Sequence, residues 1–213
     1  MSKKLILDLI AGIIVVAILL LIKIPYINLI IAVILVLIYC HKTGGIKRLG
    51  FIKPVSWPKT LFAALLTSLG IILLSVFVLL PVIQNITNQQ LDLGPFAQLQ
   101  GNTALWLNSM VLGWIIGGFV EEIIFRAFFI SRLTDHLPEK IAHFIGLVFP
   151  SILFGYLHSY QGPSGQVLTG CVGLALAVCY IMNGRKIWLN IMIHGLINTV
   201  VMTLLYLDIL KLS

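Results

Sequence analysis

The sequence predicts an all-α polytopic transmembrane bundle of about seven spans, amino terminus in the cytoplasm. Of 213 residues, 60% are apolar and only 10% charged. Mean hydropathy is +1.09, well above that of soluble globular domains. Apolar runs of the roughly 20 residues that a helix needs to cross a bilayer follow one another closely. Residues 1–213 are therefore expected to form a single membrane domain with no separate soluble unit.

The first span, Leu5 to Ile22, follows Lys3 and Lys4. Lys23, Ile24 and Pro25 come next, with no small-residue cleavage site, so the span is expected to stay as a signal anchor in the mature chain. A second span over 24–40 completes an amino-terminal hairpin. The segment His41 to Lys59 carries Lys42, Lys47, Arg48, Lys53 and Lys59, and residues 1–60 are read as this hairpin plus a basic cytoplasmic loop. Further spans are expected at 61–83, 106–130, 141–160, 166–182 and 188–207.

Basic residues fix the orientation. Lys3, Lys4, the five in the loop, Arg132, Lys140, Arg185 and Lys186 fall on one side, and only Lys23 and Lys211 on the other. The positive-inside rule places the first set in the cytoplasm. The net charge of +7 thus reports topology, because it lies in short loops and not along one face of a nucleic-acid-binding module. Cys40, Cys171 and Cys179 are an odd count within or beside apolar spans, which suggests small core residues and neither a disulfide framework nor a structural zinc site. Gly113, Gly117, Gly118, Gly170 and Gly173 allow close helix approach in lipid, and packing alone suffices to explain them.

Chemistry enters with Glu121-Glu122-Ile-Ile-Phe-Arg126, set within the apolar run Val111 to Ile130. Each ionisable group at membrane depth costs roughly 2.5–3.5 kcal/mol even on the lenient insertion scale. Glu122 and Arg126 are four apart on one helix face, with the carboxylate amino-terminal, the better order for an ion pair. Glu121 points about 100° away and needs a second partner or a watery cavity. A purely structural ion-pair network is the bland explanation. Downstream, Phe154-Gly-Tyr-Leu-His158 closes the fifth span and His194-Gly-Leu-Ile-Asn198 sits inside the seventh. His194 and Asn198 share a face at i and i+4, and both can donate hydrogen bonds. The first hundred residues hold almost nothing comparable.

The ordered set Glu121-Glu122-x-x-x-Arg126, Phe154-x-x-x-His158 and His194-x-x-x-Asn198 resembles the three motifs of the intramembrane CAAX-protease and bacteriocin-processing (CPBP, or Abi) family, which includes the type II prenyl-protein endopeptidases. All three motifs are complete. The resemblance covers residues 106–207, the expected catalytic core. It implies a peptidase, with Glu121 as general base, His158 assisting it with the attacking water, and His194 and Asn198 donating to the developing oxyanion, each donor being worth about 2.7–4 kcal/mol. Glu122 and Arg126 would support the site. It further implies a membrane-associated peptide or lipid-modified protein as substrate, the lipid bilayer as the other partner, no nucleic acid, and a multi-pass location in a bacterial plasma membrane.

No metal cofactor is expected, with zinc as the alternative. Glu121, His158 and His194 could ligate it, since two histidines and a carboxylate with an open position form a known catalytic arrangement. There is no His-Glu-x-x-His pair. Straight helices would leave His158 and His194 separated in depth by roughly 15 Å at about 1.5 Å per residue. Pro150 offers a way out if Lys140 to Val148, with His143, runs along the inner surface before the chain turns in. The polar stretch His158 to Gln166 would then be buried in protein or line water.

Two other functions compete. Gly162-Pro163-Ser164-Gly165 resembles the nucleophile region of rhomboid serine proteases, with His194 as a conceivable base, although turn-rich tetrapeptides arise readily in loops. A non-enzymatic carrier or bacteriocin-immunity protein is the alternative from another class. No inverted repeat of the kind common in transporters is discernible.

Overall fold

A computed structural model describes residues 3–44, 46–134 and 136–210, without the side chains at 46, 47, 133, 134, 139 and 143. Lys211 of the basic set therefore lies outside the described residues, as do the side chains of Lys47 and His143. The long helices are α1 (Lys3–Leu21), α2 (Ile27–Thr43), α3 (Trp57–Thr87), α4 (Thr103–Ile130), α5 (Glu139–Leu157), α6 (Gly162–Met182) and α7 (Ile187–Tyr206). Six are long and apolar enough to cross a membrane, with α2 the shorter apolar member. No strand occurs among the described residues.

Local chemistry sets the helix ends. Asn102 caps α4, its side-chain oxygen accepting from the Leu105 N–H at 3.1 Å, which satisfies one of the orphan amides of a first turn. Asn88, with φ +53°, ends α3. A π turn at Ser75–Leu79 precedes Pro81 within α3. It is the kind of local widening by which membrane helices absorb a proline. Much of α4 is also wound with π-type turns, over Gly113–Glu121 and Ile123–Ile130, and a last α turn, Ser131–Thr134, follows.

Pro150 does not break the helix. Helix α5 runs unbroken through it, contrary to the surface run expected for Lys140 to Val148. Ser151, the next residue, donates its hydroxyl to Leu147 O at 2.5 Å; serine hydroxyls of this kind help membrane helices tolerate proline. The helix ends at His158, a 3₁₀ turn follows at Ser159–Gln161, and Gly162 turns the chain at φ +73° into α6. The stretch from His158 to Gln166 is only partly buried: Ser164 and Gly165 are inside, Ser159 and Tyr160 exposed. The segment after α3 covers it, with the Asp92 N–H donating to Gln161 O at 3.0 Å.

Glycines draw α5 and α6 together. A Cβ at Gly155 would stand 2.5 Å from Gln166 O and 3.0 Å from the Gly170 backbone, and one at Gly173 would stand 3.0 Å from the Phe154 ring. The main core joins α1, α2, the second half of α4, α5 and the start of α7 through Val15, Val36, Ile124, Phe128, Phe154 and Ile191. The three cysteines are unpaired, Cys40 being fully buried.

The first hundred residues, expected to hold almost nothing comparable to the downstream polar sites, contribute the buried Asp8. Buried in α1, it accepts from Tyr39 OH at 2.6 Å, meets His136 Nε2 at 2.6 Å and faces Arg132 Nη1 at 3.5 Å. This knot ties the amino-terminal hairpin to the end of α4. The hairpin is therefore fastened to the second half of the chain by charge as well as by apolar contact.

Gly155→Ala is expected to lower stability by about 1–3 kcal/mol, the usual range for overpacking, because backbone and not a flexible side chain blocks the new methyl. Thermal unfolding of the purified variant in detergent checks this.

Candidate active site

The long helix α4 brings Glu121, Glu122 and Arg126 into the interior, facing α6 and α7. One π segment ends at Glu121 and the next begins at Ile123, a distortion of the helix ladder that recurs at functional sites. Arg126 Nη1 donates to Glu122 Oε1 at 2.8 Å, the pair expected from the spacing. Its Nη2 donates to Gly173 O on α6 at 3.0 Å, and the guanidinium lies 4.8 Å from the centre of the Phe154 ring. Both ions are almost wholly buried. A buried guanidinium needs its fork filled in this way, and the aromatic face adds cation–π attraction.

Glu122 has two more donors, both from α7. His194 Nδ1 lies 2.8 Å from Oε1, and Asn190 Nδ2 donates to Oε2 at 3.2 Å. Since an ionised carboxylate can only accept, Nδ1 of His194 carries the hydrogen, and Nε2 is the nitrogen left for other work. It points toward Glu121, whose Oε2 stands 3.7 Å away, beyond hydrogen-bond length. Among the described residues the Glu121 carboxylate accepts no hydrogen bond, and its side chain remains 12% exposed. The two adjacent glutamates are thus in different states: one is filled by three donors, the other is open.

Asn198 is one turn beyond His194 and donates from Nδ2 to Gly113 O on α4 at 3.0 Å. One of its two amide hydrogens remains. Gly113 and Gly117 do more than bring helices together. A Cβ at Gly117 would lie 2.3 Å from Asn198 Nδ2 and 3.3 Å from His194 Nε2, and a Cβ at Gly113 would lie 3.1 Å from Asn198 Cβ. Their missing side chains make the space these polar groups occupy, which corrects the view that packing alone explains them. Gly195 does the same on α7, where a Cβ would meet the Trp114 ring at 2.5 Å. Trp114 Nε1 in turn donates to Thr199 Oγ1 at 3.1 Å and fixes the rotation of α7 against α4.

His158, half-buried at the end of α5, turns Nδ1 to Phe154 O at 2.8 Å. A carbonyl only accepts, so Nδ1 carries hydrogen here too and Nε2 is free to accept a proton. The Phe154 ring connects the motifs: its centre lies 4.7 Å from that of His158 and 5.9 Å from that of His194. Both histidines thus lie against one ring and closer together than the roughly 15 Å expected in depth, although α5 is a single helix. Helix α4 is also long enough, at roughly 1.5 Å per residue, to place Glu121 well in from its outer end.

Asn190 was not singled out by any motif. It is fully buried, also donates to Leu176 O at 2.7 Å, and leaves its own Oδ1 without a partner. Its signal was in the sequence: it stands four residues before His194 and eight before Asn198, so all three share one face of α7. Ser164, by contrast, is not paired with His194. Its hydroxyl donates to Gln89 O at 2.7 Å and contacts Thr87 Oγ1 at 2.6 Å, which leaves the serine-protease alternative without a nucleophile–base contact. Among the described residues no group of three His, Cys, Asp or Glu side chains is arranged to hold a metal ion, and no step is derived through one.

Gly117→Ala is expected to displace Asn198 and to reduce any hydrolytic activity by about 100-fold, the cost of misplacing a catalytic group by around 1 Å. Comparison of kcat/KM with the unfolding temperature of the same sample separates this from loss of fold.

Residues 103–200 match the family model described as type II CAAX prenyl endopeptidase Rce1-like. All three motifs lie within the matched segment. No curated protein and no solved structure matches the chain.

Proposed function

We propose that this chain, which belongs to the type II CAAX prenyl endopeptidase family through residues 103–200, is an intramembrane endopeptidase that hydrolyses a peptide bond of a prenylated protein or membrane-associated peptide. The observation that carries this reading is the open state of Glu121 beside a fully engaged Glu122. A structural ion-pair network has no use for a second buried carboxylate without donors. A general base requires one.

In the proposed reaction Glu121 takes a proton from a water molecule as that water attacks the scissile carbonyl. His158, with Nδ1–H held on Phe154 O, presents Nε2 to accept the other hydrogen of the water and so orients it. The carbonyl oxygen gains negative charge as the tetrahedral intermediate forms. Asn198 offers it the amide hydrogen not used on Gly113 O, and His194, when its ring carries both protons, offers Nε2–H. Both side chains are held in place before substrate arrives, by Gly113 O and by Glu122, so they meet the charge without first having to reorganise. Collapse of the intermediate breaks the C–N bond, and the protonated Glu121 returns its proton to the leaving amine. Glu122, Arg126 and Asn190 hold His194 and do not touch the reacting atoms.

The test is cleavage by purified protein of a farnesylated peptide with a carboxyl-terminal CAAX sequence, alongside the same peptide without the lipid and a pool of leader peptides, with products read by mass spectrometry. Cleavage of none of them refutes the peptidase reading. His158→Ala is expected to lower kcat/KM by about 10²–10⁴-fold, and Asn198→Ala by about 10²–10³-fold. Activity is expected to survive a chelator, and its loss would overturn the metal-free mechanism.

A further inference from the structure

At the end of the bundle that the positive-inside rule assigns to the cytoplasm, a cavity of about 510 Å³ opens among residues that the proposed chemistry does not use. Four cations line it from four separate elements. Lys4 comes from α1, Arg48 from the short helical turn Ile46–Leu49, Arg132 from the turn Ser131–Thr134 and Arg185 from the α6–α7 connection. No carboxylate is among the described lining residues.

Topology explains why cations occupy this face. It does not explain why they converge on one cavity, and the backbone here is built for that convergence. Helix α6 ends in a Schellman turn: the Gly184 N–H donates to Ile181 O at 3.0 Å and the Arg185 N–H to Tyr180 O at 2.9 Å. Arg185 is held at φ +60°, a region that non-glycine residues seldom adopt, directly after Gly184 at φ +66°. Across the cavity Gly50, at φ +77°, lies so near that a Cβ there would be 2.2 Å from Arg185 O, and its own carbonyl accepts from the Ile187 N–H at 3.0 Å. These contacts clamp the Arg185 loop against the segment that follows Arg48. Arg132 is only 5% exposed and already engaged, Nη1 with Asp8 at 3.5 Å and Nη2 with Cys40 Sγ at 3.4 Å and Thr43 Oγ1 at 3.3 Å, so the forks open to a ligand are those of Arg48 and Arg185.

We propose that this cavity is a binding site for a phosphate group, carried by an anionic lipid headgroup or by free phosphate. Guanidinium forks match phosphate oxygens two at a time, and basic pockets between membrane helices on the cytoplasmic side suit phospholipid headgroups. The volume exceeds what one phosphate fills and leaves room for a headgroup. The site lies outside the machinery assigned to Glu121, His158, His194 and Asn198, and does not depend on the peptidase reading.

The test uses the full chain in phosphatidylcholine nanodiscs, with phosphatidylglycerol titrated into the bilayer in one arm and inorganic phosphate into the buffer in the other. Bound lipid is read by native mass spectrometry and phosphate by the shift in unfolding temperature. The double variant Arg48→Gln, Arg185→Gln is expected to bind roughly 10–30-fold more weakly, at about 1 kcal/mol per cation. The control Lys42→Gln, Lys53→Gln removes the same charge from exposed positions outside the cavity and is expected to bind as the parent does. Phosphatidylglycerol preference that inorganic phosphate cannot displace identifies the lipid as the source; phosphate binding with no lipid preference identifies free phosphate. Equal weakening in both double variants, or no binding of either probe by the parent, overturns the proposal. If the glutamine variant fails to fold in phosphatidylcholine, Arg48→Lys, Arg185→Lys carries the test: it keeps the charge and loses the forks, and parent-like binding by it overturns the proposal.

Discussion

A carboxylate with no exposure to solvent, inside a bundle that is itself inside lipid, must have its oxygens filled by the protein. Glu122 is filled from its own helix by Arg126 and from α7 by His194 and Asn190. Arg126 carries the constraint on to α6 through Gly173 O, and Asn190 returns there through Leu176 O. Three helices are therefore indexed against one side chain. An apolar core could hold them at similar spacing, but it would not fix the rotation of α7 about its axis, and that rotation decides where His194 and Asn198 point.

The same constraint separates structure from chemistry. Because Glu122 absorbs the donors, Glu121 beside it in sequence is left with a carboxylate that no described residue bonds. Because Glu122 fixes the hydrogen of His194 on Nδ1, the other nitrogen is presented to Glu121. Phe154 then gathers the remaining pieces, its ring touching both histidines and Arg126. The motif phenylalanine is thus the surface on which the motifs converge. The glycines of α4 complete the arrangement by leaving room where a methyl group would collide with Asn198.

Much of this was legible in the sequence. Span lengths followed from apolar runs, the Glu122–Arg126 pair from spacing on a helix, and the three motifs from their order on separate spans. Asn190 was legible in principle, since it is in step with His194 and Asn198, but a single asparagine near the start of an apolar run gives little signal. Asp8 was hidden for the same reason, and its partners Tyr39, Arg132 and His136 come from distant parts of the chain. Pro150 misled because the rule that proline breaks helices is calibrated in water, whereas membrane helices retain it with help from neighbouring hydroxyls. The convergence of His158 and His194 on the Phe154 ring depends on how helices of unequal length pack, which no local pattern records.

The central claim is that two neighbouring carboxylates do different work. It is tested most directly by measuring peptide cleavage and unfolding temperature together for Glu121→Gln and Glu122→Gln. The first is expected to abolish cleavage while unfolding as the parent does. The second leaves Arg126 buried without its ion partner, a loss of about 3–5 kcal/mol for a buried pair, and is expected to lower the unfolding temperature sharply. Equal destabilisation by the two changes, or cleavage retained by Glu121→Gln, would contradict the division of roles.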